Sequence, residues 1–320
     1  MRHGIHMWAL TIVLLAAATG CSWAASPQWP LREARSALMR FSTAPFPYHG
    51  SMPDGETPFL DARDGERGGH TTGRAGVYWE DQTYSDNRTL IAFPKGFDAR
   101  RPAVIVVYFH GNGAILSRDV ADRQRVIDQV QASGLNAILV APQFAVDALD
   151  SSAGRFWMPG AFAQYLSEAG ANMAKLMDMS RDRARFDKLP VILVAYSGGY
   201  NPAAYALAVG GANNRIKGVV LLDAGFGEPD KFADWIERRR KSAFFFSAYL
   251  DDSEAGNEKI ARLLARQGIT TSAQLPDRFE PGSIAFFSVG DSANHNDFVT
   301  DAWVGNPLAW LLARVPGYLR

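Results

Sequence analysis

From residue 88 onward, short apolar runs alternate with stretches in which apolar residues return every three or four positions. Residues 103–109 (AVIVVYF), 191–195 (VILVA) and 219–222 (VVLL) are continuous and rich in β-branched side chains, the pattern of strands covered on both faces. Residues 88–94, 136–140, 243–249 and 284–289 read as further strands, and Pro142 stops the 136–140 strand. Val120, Val126, Ile127 and Val130 fall on one stripe of a helix expected over 119–132. Further helices are expected over 162–179, 202–209, 230–240, 254–267 and 302–313. Repeated strand–helix units predict a mostly parallel sheet with helices on both faces, in one domain over residues 76–320. Residues 21–75 lack such a period and are rich in Pro, Gly, Ser and Arg. Ala44-Pro45-Phe46-Pro47 and Arg67-Gly68-Gly69-His70 read as loop, so this segment is expected to be a loop-rich arm over the domain.

The first residues follow another pattern. Arg2 and His3 precede an uncharged apolar run over 7–18 (MWALTIVLLAAA), the n-region and h-region of a secretory signal. The run falls short of the roughly 20 apolar residues of a membrane span. Cys21 is the single cysteine, which excludes an intramolecular disulfide and disfavours a Cys-based metal site. Ala18-Thr19-Gly20-Cys21 resembles a bacterial lipoprotein lipobox, with Ala18 where Leu is usual. That resemblance implies a signal over residues 1–20, lipid on Cys21, and an exported protein tethered to the cell envelope without spanning it. A cut after Ala24, with small Ser22 and Ala24 before it, is the competing reading and leaves a soluble exported protein.

Composition narrows the class. The chain has 320 residues, with 33 Lys plus Arg against 33 Asp plus Glu, so the formal net charge is zero. An apolar content of 47% argues against disorder. The absence of a basic excess argues against a nucleic-acid partner.

In sheets of this kind chemistry sits beyond the carboxyl ends of the strands. After 191–195 comes Tyr196-Ser197-Gly198-Gly199, so Ala195 to Gly199 fits the G-x-S-x-G nucleophile turn with Ala in the first position. After 103–109 comes His110-Gly111-Asn112-Gly113. Its glycines let backbone amides face a ligand, and Asn112 N–H, or alternatively Gly113 N–H, is expected to join Gly198 N–H in holding an oxyanion. Leu116 stands where a dinucleotide fingerprint would need its third Gly. His110 precedes the nucleophile and reads as structural. His295, the only histidine after residue 110, follows the last strand and is the expected base for a hydroxyl nucleophile. Two places offer the acid that orients it. Asp223 ends a buried strand, where an unpaired carboxylate would be costly. Asp251, the alternative, lies in Asp251-Asp252-Ser253-Glu254, which also suits a solvated helix N-terminus. Tyr196, Tyr200, Phe156 and Trp157 are candidates either for a substrate pocket or for the core.

With these residues placed, the sequence resembles the α/β-hydrolase family over residues 75–320, and residues 93–114 (FPKGFDARRPAVIVVYFHGNGA) look like secreted polyester depolymerase and feruloyl-esterase-like members. The chain order Ser197, Asp223, His295 is the nucleophile–acid–histidine order of that fold, and the resemblance implies the α/β-hydrolase fold, with an eight-stranded, mostly parallel sheet and a covalent acyl-enzyme. It does not fix the substrate, since this fold hosts many chemistries; the expected one is a carboxylic ester, small or polymeric. No metal or other cofactor is expected, because His49, His70, His110 and His295 show no ligand spacing. A non-catalytic envelope binding protein on the same scaffold, and a serine peptidase or amidase with the same three residues, remain as alternatives.

Overall fold

The computed structural model describes residues 28–290 and 293–320. The signal segment and Cys21 lie outside the described residues.

In chain order the elements are β1 (Arg35–Arg40), β2 (Ala62–Asp64), β3 (Arg67–Thr72), β4 (Gly76–Trp79), α1 (Glu80–Thr83), β5 (Arg88–Phe93) and β6 (Val104–Phe109). There follow α2 (Val126–Ala132), β7 (Ala137–Pro142), α3 (Ala161–Leu176), α4 (Arg183–Asp187), β8 (Val191–Tyr196), α5 (Tyr200–Ala208) and β9 (Ile216–Leu222). The chain closes with α6 (Pro229–Arg239), β10 (Phe244–Tyr249), α7 (Asp251–Arg266), β11 (Ile284–Ser288) and α8 (Pro307–Leu312).

Eight strands form the central sheet in the order β1-β5-β7-β6-β8-β9-β10-β11. Pairing is antiparallel at β1–β5 and β5–β7 and parallel from β7 to β11. The continuous apolar runs divide by alternation, as the two-residue period of a strand requires. Ile105, Val107 and Phe109 of β6 face one core, and Val104, Val106 and Tyr108 face the other. β8 divides the same way, with Leu193 and Ala195 on the first side and Ile192, Val194 and Tyr196 on the second. Both faces are dry, as a sheet sandwiched between helices demands.

Three expectations need correction. The described part of the segment expected to be a loop-rich arm, residues 28–75, joins the sheets: β1 pairs with β5 from Arg35↔Phe93 to Arg40↔Arg88, and β2 and β3 form a separate antiparallel sheet with β4. The segment between them is anchored by aromatic side chains that have no sequence period. Phe41, Phe46 and Phe59 are fully buried. Phe59 stacks on His70 at 4.3 Å and meets Tyr84 at 5.0 Å and Trp157 at 5.8 Å. The Glu168 carboxylate on α3 accepts the Ser42 and Thr43 N–H groups, each at 2.8 Å. Secondly, no straight helix runs over 119–132. Leu116–Arg123 winds as a π-helix and Arg125, at φ 50°, breaks the chain before α2. Buried Asp119 explains the wider turn, since it gathers Ile115 N–H, Arg118 and Arg123 around one carboxylate. Thirdly, the last helix is confined to α8 because Pro307 occupies its first turn after Asn306 at φ 57°.

Phe59→Ala removes the ring at the centre of the aromatic cluster, and a stability loss of about 3–5 kcal/mol is expected. Urea unfolding followed by fluorescence measures it. A loss below about 1 kcal/mol would show that the N-terminal segment is not part of the cooperative core.

Candidate active site

The site begins with a turn that only small residues allow. β8 ends at Tyr196, and Ser197 adopts φ 51° before a short 3-10 turn leads into α5. This left-handed backbone is sparsely populated by residues other than Gly and costs about 1–3 kcal/mol. It lifts the serine hydroxyl off the strand end. Phe109 of β6 lies opposite Ala195 of β8, so the two following loops touch. A Cβ at position 199 would stand 2.5 Å from the Phe109 carbonyl oxygen, and one at position 111 would stand 2.7 Å from Ser197 Cβ. Glycine at both positions is therefore a condition of the turn.

Three distant segments meet at Ser197. His295 Nε2 lies 2.8 Å from Ser197 Oγ, and His295 Nδ1 lies 2.5 Å from Asp223 Oδ2. Asp223, directly after β9, is itself at φ 43° and is 1% exposed. Burial alone would raise its pKa. Hydrogen bonds from His295, Ser253 and the Leu250 N–H outweigh that and hold the carboxyl below the ordinary range. It is therefore a carboxylate at neutral pH, and it fixes the His295 tautomer with the proton on Nδ1. Asp251 stands in the first turn of α7 beside Asp252 and Glu254, where acidic side chains suit the helix dipole. The acid that meets His295 is Asp223 and not Asp251.

The histidine is held from behind. The Tyr196 ring stacks on it at 5.0 Å and 26°. Tyr196 Oη donates to the His295 carbonyl at 3.3 Å or to Asn296 Oδ1 at 3.1 Å. A capping box closes the turn, with Asn294 N–H donating to Asp297 Oδ2 at 2.7 Å.

The loop after β6 presents the other half of the site. Gly113 N–H donates to the Ala148 carbonyl at 2.8 Å, so it is occupied. Asn112 N–H has no acceptor among the described residues. The Asn112 side chain is held by Ser151 Oγ at 3.0 Å. Gly198 stands in the first turn of the following helix, where N–H groups lack intrahelical acceptors. Asn112 and Gly198 are thus the backbone donors available beside Ser197, and Gly113 is withdrawn. His110 is buried beneath the loop. Its Nε2 accepts from Phe144 N–H at 2.9 Å, so the proton sits on Nδ1, which donates to the Gly111 carbonyl at 2.8 Å. Burial lowers its pKa to about 4.

These groups open into a cavity of about 920 Å³ whose lining includes Ser197, His295, Asn112 and Gly198. Of the candidate aromatics, Trp157 and Tyr200 line it, Phe156 is core, and Tyr196 supports His295. Tyr205 and Phe226 add further aromatic wall. The opposite side is built by Met52, Pro53 and residues 70–74, which sequence reasoning had left in the arm. Ser253 was also missed. Nothing in its sequence neighbourhood marks it, because its role exists only where α7 meets the end of β9.

The chain matches no family model and no curated protein. Solved structures align with it at low identity. A feruloyl esterase module from Clostridium thermocellum is 13% identical, with a TM-score of 0.45 over 84% of this chain and 97% of that one. An S-formylglutathione hydrolase from Agrobacterium tumefaciens is 10% identical, with a TM-score of 0.42 over 73% and 90%. A poly(3-hydroxybutyrate) depolymerase from Bordetella parapertussis is 13% identical, with a TM-score of 0.37 over 75% and 88%. The fold assignment stands on the sheet itself. Its strand order, with parallel pairing from β7 to β11 and a sharp serine turn after β8, is that of the α/β-hydrolase fold.

The neutral His110 makes stability depend on pH. The unfolded side chain takes a proton near pH 6.5 and the folded one near pH 4. Between these values the unfolded state binds more protons, so stability is lost as pH falls through this window. Urea midpoints at pH 7.5 and 4.5 are expected to differ by about 2 kcal/mol in stability. In His110→Gln the same comparison is expected to be flatter. An equal decline in both proteins would remove His110 as the cause.

Proposed function

We propose that this protein is a serine hydrolase that cleaves carboxylic esters through an acyl-Ser197 intermediate. The reading rests on one observation: the His295 ring bridges Ser197 Oγ and the buried Asp223 carboxylate. His295 Nε2 takes the hydroxyl proton as Ser197 Oγ attacks the ester carbonyl. The resulting oxyanion is received by Asn112 and Gly198 N–H groups. His295 then gives its proton to the leaving alkoxide, and the alcohol departs. A water molecule repeats the sequence on the acyl-serine and releases the carboxylic acid. Asp223 stays ionised and balances the imidazolium in both halves.

The surroundings favour an extended or bulky ester over a very small one. The cavity is large for a single acetyl group and has aromatic walls on several sides, from Trp157, Tyr200, Tyr205 and Phe226. For localisation, the reading of residues 1–20 as a signal and of Cys21 as a lipidation site places the enzyme in the cell envelope.

A fluorophosphonate probe is expected to label the wild-type protein and not Ser197→Ala. Asp223→Asn is expected to lower turnover of a p-nitrophenyl ester by about 10⁴-fold, with Asp251→Asn unchanged within about twofold. A folded wild type that resists the probe would sink the hydrolase reading. Faster cleavage of a matched peptide anilide than of the ester would make it an amidase. Mass spectrometry of the mature N-terminus is expected to find diacylglycerol on Cys21, and an unmodified N-terminus at Ala25 would refute the lipid anchor.

A further inference from the structure

The formal charge of zero conceals a separation of charge along the strand axis. The parallel strands β6 to β11 all begin at one edge of the sheet and end at the other. The antiparallel pairings put the end of β5 and the start of β1 at the entry edge too. Most segments at that edge are basic, the exception being residues 267–283 with two carboxylates to one cation. Residues 94–102 hold three cations to one carboxylate, and residues 181–188 hold four to two. Residues 215–217 add two cations and residues 238–241 add four, without a carboxylate in either. Carboxylates on this edge are largely spent on local pairs, such as Asp98 with Arg100 and Asp187 with Arg183. Arg101, Arg185, Arg238, Arg240 and Lys241 are exposed and have no carboxylate partner among the described residues.

The exit edge, where Ser197 opens, has the opposite sign. Residues 143–152, 223–230 and 250–258 hold two, three and four carboxylates respectively, and no Lys or Arg, while residues 110–125 hold three Arg to two Asp. Helix dipoles account for one or two residues at each helix end, but not for the surplus cations of the loop 94–102 between β5 and β6.

We propose that the strand-entry edge docks on an anionic phospholipid bilayer, holding the candidate active site away from it. Two further observations bear on the occupant. The described chain starts at this edge: Leu31 N–H donates to Phe97 O at 2.9 Å, and Arg100 Nη2 donates to Trp29 O at 3.0 Å. The segment carrying the apolar run 7–18 and Cys21 therefore joins the domain on its basic side. A groove of about 380 Å³ at the same edge is lined by Arg240 and Lys241 together with Ile269, Pro281 and Ile284, a mixture suited to a phosphate headgroup above a short apolar contact. Each cation near an anionic leaflet adds to the attraction, which decays within a Debye length.

The test is vesicle co-sedimentation of the full chain. Vesicles of phosphatidylcholine are compared with an equal mixture of phosphatidylcholine and phosphatidylglycerol. The mixed vesicles are expected to bind at least about tenfold more tightly, with the excess abolished in about 0.5 M NaCl. The triple variant Arg238→Glu, Arg240→Glu, Lys241→Glu is expected to bind both vesicles alike, with circular dichroism showing it folded. If the triple variant does not fold, Arg238→Glu and Lys241→Glu singly are each expected to lose about threefold to fivefold on mixed vesicles. Equal affinity of the wild type for both vesicles overturns the proposal, as does an undiminished excess in the variants. Tighter binding to a short DNA duplex than to the mixed vesicles also overturns it.

Discussion

A carboxylate sealed from solvent has to remain charged for this site to exist. Asp223 is buried at the end of β9, where an isolated charge would cost several kcal/mol. Three donors offset that cost: the His295 ring, the Ser253 hydroxyl and the Leu250 N–H. They come from two places, the start of α7 and the loop after β11, so the charge ties both to the end of β9. Removing His295 or Ser253 would leave part of a buried charge unmatched. The same arrangement orients the imidazole toward Ser197, so the group that stabilises the carboxylate is the one the chemistry uses.

The site also stores backbone strain. Ser197 and Asp223 both occupy left-handed backbone, and neither is glycine. Such conformations persist only where surrounding contacts over-determine them. At Ser197 the constraint is the packing of the β6 and β8 loops, with glycines 111 and 199 admitting the close approach. At Asp223 it is the paired carboxylate together with the Asp223 N–H bond to Ala248 O at 2.8 Å. Pre-set geometry of this kind spares the reacting groups a search for alignment when substrate arrives.

Legibility in the sequence followed the range of the interactions. Strands β6, β8 and β9 were visible because a doubly covered strand must be apolar at every position. Ser197 was visible because the turn needs small residues at fixed offsets, and His295 because no other histidine follows residue 110. Asp223 could be preferred to Asp251 on burial alone. The arm was not legible. Phe41, Phe46, Tyr48 and Phe59 have no period, and their partners Tyr84, Trp157 and Tyr165 lie far along the chain. The cavity wall from residues 70–74, and the support of Asp223 by Ser253, depend on tertiary proximity that no local pattern encodes. The withdrawal of Gly113 N–H by Ala148 O is of the same kind.

The separation of charge bears on the chemistry as well as on docking. In the proposed mechanism, carboxylates around the exit edge would favour the imidazolium formed when His295 takes a proton, and would oppose the oxyanion formed in the same step. The long-range field is therefore divided between the two charges of the transition state. Local donors would then have to decide the balance, which in the proposed mechanism places the weight on the Asn112 and Gly198 N–H groups. The same field acts on arrival. Under the proposed function, esters that carry a free carboxylate would approach against it, while neutral or cationic esters would not. Arg74, on the cavity wall contributed by the N-terminal segment, is the one guanidinium in the described lining and softens this bias only on its own side. In that reading, selection by charge rests on the carboxylates of the exit edge, and selection by shape on the aromatic residues that line the cavity.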